Sequence, residues 1–180
     1  MLVYFGIVSF LSLGVIIEQI SKNKRMRENF FMFSLLLLIL FFGLRGYIGY
    51  DWYSYKPNFD KMVNIVELLK NNSHNLLSSY EIGFQIYTSL IKSITSNYFF
   101  YNFINTTIDF IILLFVIKKY SKYPILSLLL FFGVYGVALE IDMLRNVKSI
   151  LLFLISIEFI EKQKFLIFMI LNILGIFFHT

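Results

Sequence analysis

Charged side chains along this chain are gathered into clumps, and long apolar stretches lie between them. The first stretch runs from Leu2 to Ile20 and the second from Phe30 to about Tyr47, with fifteen consecutive uncharged residues over Phe30–Leu44. Others cover Tyr98–Ile117, Tyr123 to about Glu140, about Leu144 to Ile160, and Phe165–Phe178. A helix needs roughly 20 apolar residues to cross the hydrocarbon core. Hydrocarbon offers no water to an open backbone, so such a run must satisfy its own hydrogen bonds as a helix. The pattern predicts an all-α, polytopic integral membrane bundle of about six spans, a single transmembrane domain over residues 1–180.

Two segments break the pattern. Residues 45–80 carry Arg45, Lys56, Lys61 and Lys70, nearly balanced by Asp51, Asp60 and Glu67, and read as a long outer loop. Within it, DKMVNIVELLK places Met62, Val66 and Leu69 on one helical face, with Asp60, Lys61, Asn64 and Glu67 opposite. That predicts a short amphipathic helix over about 60–70, lying on the bilayer surface. NNSHNLLSS, residues 71–79, follows as a loop. After Glu81, Ile82, Ile86, Tyr87, Leu90, Ile91 and Ile94 repeat at helical period, while Gln85, Thr88, Ser89, Lys92 and Ser96 make a wet face.

The threading turns on that polar segment. If 82–96 crosses fully, Lys118, Lys119 and Lys122 land outside. If it is a half-helix or re-entrant segment, they share the cytoplasmic side with Lys22, Lys24, Arg25 and Arg27, as basic loops prefer. The second threading puts the N-terminus outside and gathers Arg45, Asp51, Glu81, Arg145 and His179 on the outer face. Polar backbone at membrane depth is tolerated only beside protein or a wet cavity, so this threading also predicts a cavity.

Composition narrows the function classes. With 58% hydrophobic and 15% charged residues and a mean hydropathy of +0.75, no room remains for a second, soluble domain. The net charge of +5 is explained by basic loops and not by nucleic acid, because no basic face is free of lipid-facing sequence. The absence of cysteine excludes disulfides and thiolate metal sites. MLVYFGIVSFLSLGVII lacks a basic n-region and a small-residue cleavage site, and reads as a retained span.

Each candidate for chemistry has a plainer explanation beside it. Arg45 either snorkels to the headgroups or offers paired donors to a phosphate. Gly46 and Gly49 favour a backbone that approaches a ligand closely. Asp51 follows, as a salt-bridge partner or a carboxylate of the site. Tyr47, Tyr50, Trp52, Tyr53 and Tyr55 form an interfacial aromatic belt, which also suits stacking on sugars. Glu81 either complements a helix dipole or serves as a general base. Arg145 either pairs with Asp142 three residues earlier or makes a second contact to a diphosphate, joined by Lys148 one turn deeper. Asn102, Asn105, Thr106 and Asp109 form a polar stripe, for interhelical bonding or for lining a polar path.

Taken together, Arg45-Gly46-x-x-Gly49-x-Asp51 with Tyr55, Glu81-x-Gly83-Phe84, Leu144-Arg145-Asn146 and Phe178-His179 resemble the EpsG family of Wzy-like polysaccharide polymerases. The family's arginine-led helix often continues with glutamine where this chain has Asn146. Its members are usually nearly twice as long, so this chain looks like the N-terminal half. The resemblance implies a glycosyltransferase of the bacterial inner membrane. It would join oligosaccharide repeat units carried on undecaprenyl diphosphate, for exopolysaccharide, capsule or O-antigen, alongside other polysaccharide-assembly proteins. No metal or other cofactor is implied, because the lipid diphosphate is the leaving group. Glu81, Asp51 and His179 would then be catalytic candidates, and Arg45, Arg145, Tyr55 and Lys148 would bind substrate. The competing readings are a transporter or channel component and an inactive truncated remnant.

Overall fold

The computed structural model describes residues 2–70 and 80–179; the loop expected over 71–79 lies outside the described residues. All regular structure among them is helical: α1 (Leu2–Ile20), α2 (Lys24–Gly43), α3 (Trp52–Lys61), α4 (Ile65–Lys70), α5 (Ile82–Lys92), α6 (Tyr98–Tyr120), α7 (Pro124–Phe131), α8 (Val137–Ile141), α9 (Leu144–Glu161) and α10 (Phe165–Ile176). A π-helical turn, Phe132–Gly136, joins α7 to α8 into one rod. Among the described residues four helices are long and apolar enough to cross a membrane: α1, α2, α6 and the α7–α8 rod. α9 is of similar length but carries Arg145, Lys148, Glu158 and Glu161, and α10 is shorter and strongly apolar. The chain is a polytopic membrane helix bundle.

Local chemistry explains the boundaries. Asn23 accepts the N–H of Met26 at 3.2 Å and so starts α2 within the basic clump, ahead of Phe30. Asn97 caps α6 through the N–H groups of Phe99 and Phe100. Glu18, a carboxylate within α1, is buried because it accepts the N–H groups of Ile125 and Leu126 at 3.0 and 3.3 Å, capping α7 from a neighbouring helix.

The bundle has two distinct ends. Lys24 and Arg27 of α2 share a cleft with Lys118 of α6 and Lys122, and Lys119 reaches Glu158 at 3.1 Å near the end of α9. At the other end lie the C-terminal ends of α2, α8 and α10 and the N-terminal ends of α6 and α9. The described residues from Arg45 to Lys70 and from Tyr80 to Asn97 belong to that second end. α5 begins beside Arg145 and ends where Lys92 donates to the carbonyl of Phe59 at 3.0 Å, so it enters and leaves on one side.

Packing of α5 reverses the rule of soluble helices. Its polar face is buried at Gln85, Thr88 and Ser89, while Ile82, Ile86, Leu90 and Ile94 face outward. Lipid accepts the apolar face, and polar groups must find partners inside the protein. Ser89 donates to the carbonyl of Val63 at 2.7 Å, and the hydroxyl of Ser93 accepts the N–H of Ile65 at 3.0 Å. Those anchors lie at a break. The chain is helical on both sides of residues 62–64 but not through them, and Asn64 restarts the helix by accepting the N–H of Glu67 at 2.9 Å. Met62 and Leu68 are buried, whereas Val66 and Leu69 are exposed.

The core has two parts. An aliphatic and phenylalanine cluster joins α1, α2, α6, α7 and α9, including Leu11, Leu38, Phe42, Phe110 and Leu128. A smaller aromatic cluster of Tyr55, Phe59, Phe84, Tyr98 and Tyr101 fastens α3 and α5 to the start of α6.

Candidate functional site: an ionic rim over a buried charge cluster

Glu81 has extended backbone just before α5, and Arg145 occupies the first turn of α9. The guanidinium donates to Glu81 at 2.6 Å, lies close enough to the Tyr55 hydroxyl to interact with it electrostatically, and lies 4.8 Å above the ring of Tyr80. His179 Nδ1 is 3.5 Å from the other carboxylate oxygen of Glu81. Burial pushes the Tyr55 phenol up to about 12, so it remains a neutral hydroxyl near neutrality. Tyr55 has left the aromatic belt: it is buried and stacks on Tyr80 at 5.7 Å, while Tyr50 and Tyr53 stay exposed.

The Glu-x-Gly and Phe-His segments meet because α5 begins against the end of α10. Gly83 donates its N–H to the carbonyl of Phe177 at 2.8 Å, and a Cβ on Gly83 would lie 2.6 Å from that oxygen. Only glycine permits the approach.

The glycine-aspartate loop is held by a residue that sequence reasoning assigned elsewhere. Asp142 does not pair with Arg145. It accepts the N–H groups of Tyr50 at 2.6 Å and Asp51 at 3.2 Å, and Arg145 goes to Glu81 instead. The intervening α8–α9 corner turns Asp142 toward the loop. Gly49 has φ +86, and a Cβ there would collide with the Asp142 carboxylate. Burial raises the pKa of Asp51 above its ordinary value, Asp142 raises it further, and Arg145 opposes both. The loop and Asp142 are about ninety residues apart, and no sequence spacing announces that contact.

Farther into the bundle lie charges with almost no exposure. Arg45 is 7% exposed and its Nη1 donates to the carbonyl of Phe42 at 3.3 Å, so it turns inward and does not snorkel. It lies in the field of Glu140 and Asp109, each 1% exposed. Lys148, 5% exposed, forms a buried ion pair with Asp109. The stripe Asn102, Asn105, Thr106 and Asp109 coincides with the buried face of α6, and the hydroxyl of Tyr87 donates to Asn105 at 2.7 Å. Several polar atoms of this cluster, Glu140 Oε2 and Asp109 Oδ1 among them, have no hydrogen-bond partner among the described residues. Glu140 was not singled out from sequence; its burial is set by how the α7–α8 rod packs.

The structure thus brings Glu81, Arg145, His179, Tyr55 and Asp51 to one rim and sets Arg45 and Lys148 behind them. Two grooves flank the rim. One, of about 440 Å³, runs past Arg45, Gly46, Phe100 and Phe103. The other, of about 400 Å³ and almost wholly apolar, lies between α5 and α10 beside Ile86, Leu90 and Phe177. Among the described residues no group of three or more His, Asp or Glu side chains is placed to hold a metal ion.

No curated protein and no solved structure is significantly similar to this chain. The EpsG family model matches residues 28–180, which takes in the rim, the buried charges and all helices from α3 onward. The chain therefore belongs to the EpsG family, membrane proteins of polysaccharide biosynthesis.

Proposed function

We propose that this chain acts in polymerising oligosaccharide repeat units carried on a lipid diphosphate, by glycosyl transfer at the outer face of a bacterial cytoplasmic membrane. The observation that carries the reading is the Glu81–Arg145–His179 group, a carboxylate bonded to a guanidinium with an imidazole 3.5 Å away at the bundle's polar end. A hydroxyl of the acceptor sugar attacks the anomeric carbon of the donor. The bond from that carbon to the diphosphate oxygen breaks, and its electron pair leaves with the diphosphate. Glu81 takes the hydroxyl proton, with His179 and Asp51 as the alternative acceptors nearby. Arg145 and, from behind, Arg45 offset the charge that develops on the leaving group. Undecaprenyl diphosphate is the carrier we infer. The exposed aromatics Tyr50 and Tyr53 offer stacking faces to sugar rings.

In cells whose polymer depends on the protein, Glu81→Ala or Arg45→Ala abolishes polymer while the membrane content of the variant stays at the parental level. Unchanged polymer length in both variants overturns the assignment. A second reading, passage of a polar solute, rests on the buried cluster of Arg45, Asp109, Glu140 and Lys148. It predicts solute flux in reconstituted vesicles without any lipid-linked donor.

A further inference from the structure

We propose that the end of the bundle opposite the rim binds an anionic phospholipid, its phosphate in the cleft between α2 and α6 and an acyl chain in the groove between α6 and α9. The proposal does not rest on the polymerase reading.

The cleft, of about 310 Å³, collects Lys24 and Arg27 from α2, Lys118 from α6 and Lys122 from the turn after it. Two carboxylates, Glu18 and Glu28, also reach it. Glu18 is already committed, because both its oxygens accept N–H groups of the first turn of α7. Among the described residues, none of the four cations pairs with a carboxylate. The neighbouring lysines behave differently: Lys119 and Lys162 both pair with Glu158. Arg27 also keeps its Nε buried without a hydrogen-bond partner among the described residues. Four cations without a carboxylate partner among the described residues, from two helices and a turn, therefore line one concavity, a charge arrangement suited to a phosphate.

The second observation fixes the source of that phosphate. Lys118 also lines an adjoining groove of about 470 Å³, whose other walls include Ile112, Phe115, Val116, Leu154 and Ile155. Phe115 is largely exposed at its edge. A free phosphate would have no use for an apolar groove continuing from the cation site, whereas a phospholipid carries both chemistries in one molecule. If the basic end faces the cytoplasm, the anionic inner leaflet supplies such lipids.

The test is thermal unfolding of the detergent-purified chain, titrated with phosphatidylglycerol, phosphatidylcholine or inorganic phosphate. Phosphatidylglycerol should raise the midpoint saturably, while phosphatidylcholine and inorganic phosphate leave it unchanged. Lys118→Gln with Lys122→Gln should require roughly tenfold more phosphatidylglycerol, and Lys118→Arg with Lys122→Arg should respond like the parent. Lys162→Gln, a charge loss outside the cleft, should also respond like the parent. Native mass spectrometry of the parent, counting retained phosphatidylglycerol against phosphatidylcholine, gives a readout independent of any variant's folding. An equal response to phosphatidylcholine, an equal response to inorganic phosphate, or an undiminished response in the double glutamine variant overturns the proposal.

Discussion

The N–H of Gly83 meets the carbonyl of Phe177 at 2.8 Å, so the start of α5 and the end of α10 share one hydrogen bond. Glu81 and His179 each lie two residues from that bond and face each other because of it. Substituting Gly83 by alanine places a Cβ 2.6 Å from the Phe177 oxygen. Overpacking of this kind costs about 1–3 kcal/mol, and here it also separates the two side chains. Gly83→Ala should lower the unfolding midpoint and the polymer yield together. Gly46→Ala, where a Cβ meets nothing within 4 Å, should leave the midpoint unchanged.

Asp142 carries a second dependence. Its carboxylate accepts two backbone N–H groups of the loop, at Tyr50 and Asp51, and hydrogen bonds to charged groups are worth about 1.5–3 kcal/mol. Asp142→Ala should loosen the loop, which carries exposed Tyr50 and leads into the first turn of α3 with exposed Tyr53. Limited chymotrypsin digestion should then cleave there several-fold faster. Asp142→Asn retains an acceptor oxygen and should fall between.

The Lys148–Asp109 pair is almost wholly buried. Removing one partner leaves an uncompensated charge, at about 3–5 kcal/mol, whereas replacing both with apolar residues is often neutral. Lys148→Met should therefore destabilise strongly, and Lys148→Met with Asp109→Leu should recover most of the loss. Unfolding midpoints of the two singles and the double make the cycle.

Asp51 predicts a pH effect with a definite sign. Its pKa is raised above the ordinary 3.8 by burial and Asp142. The folded chain therefore binds this proton more tightly than the unfolded chain does. Stability from this group is present at low pH and is lost as pH rises from the ordinary value through the folded one. Asp51→Asn should flatten the pH dependence of the unfolding midpoint over that mildly acidic window and leave it unchanged elsewhere.

The absence of cysteine makes orientation simple to test. Tyr50→Cys lies at the rim end and Tyr120→Cys at the basic end, and both tyrosines are exposed. In intact cells an impermeant thiol reagent should label only position 50, and permeabilisation should add position 120. Labelling of 120 from outside reverses the proposed orientation.

Much of the bundle was legible because lipid imposes a simple demand. A long apolar run such as Leu2–Ile20, charged only at Glu18, has one way to satisfy its backbone, and α1 has those bounds. The basic clumps of α2 and α6 were readable as lying on one side of the membrane, and packing goes further by joining them in one cleft. Residues 60–70 were less tractable. Their apolar spacing fits one continuous helix, yet Ser89 and Ser93 of α5 bind the backbone at Val63 and Ile65 and hold the break open. Asp142 shows the same limit: Arg145 is near in sequence, but the corner before α9 directs the carboxylate to Tyr50 and Asp51.

By itself, then, the sequence determined that this chain is a helical membrane bundle with a polar end and a basic end. Hydrophobic runs and charge clumps are local properties, and they suffice for that conclusion. Which charge meets which was decided only by tertiary structure. Glu81 takes Arg145, Lys148 takes Asp109, and Arg45 turns inward to the carbonyl of Phe42, in the field of Glu140. Inside a low-dielectric bundle a charge must find its partner wherever packing brings one, and packing joins residues that the chain keeps far apart.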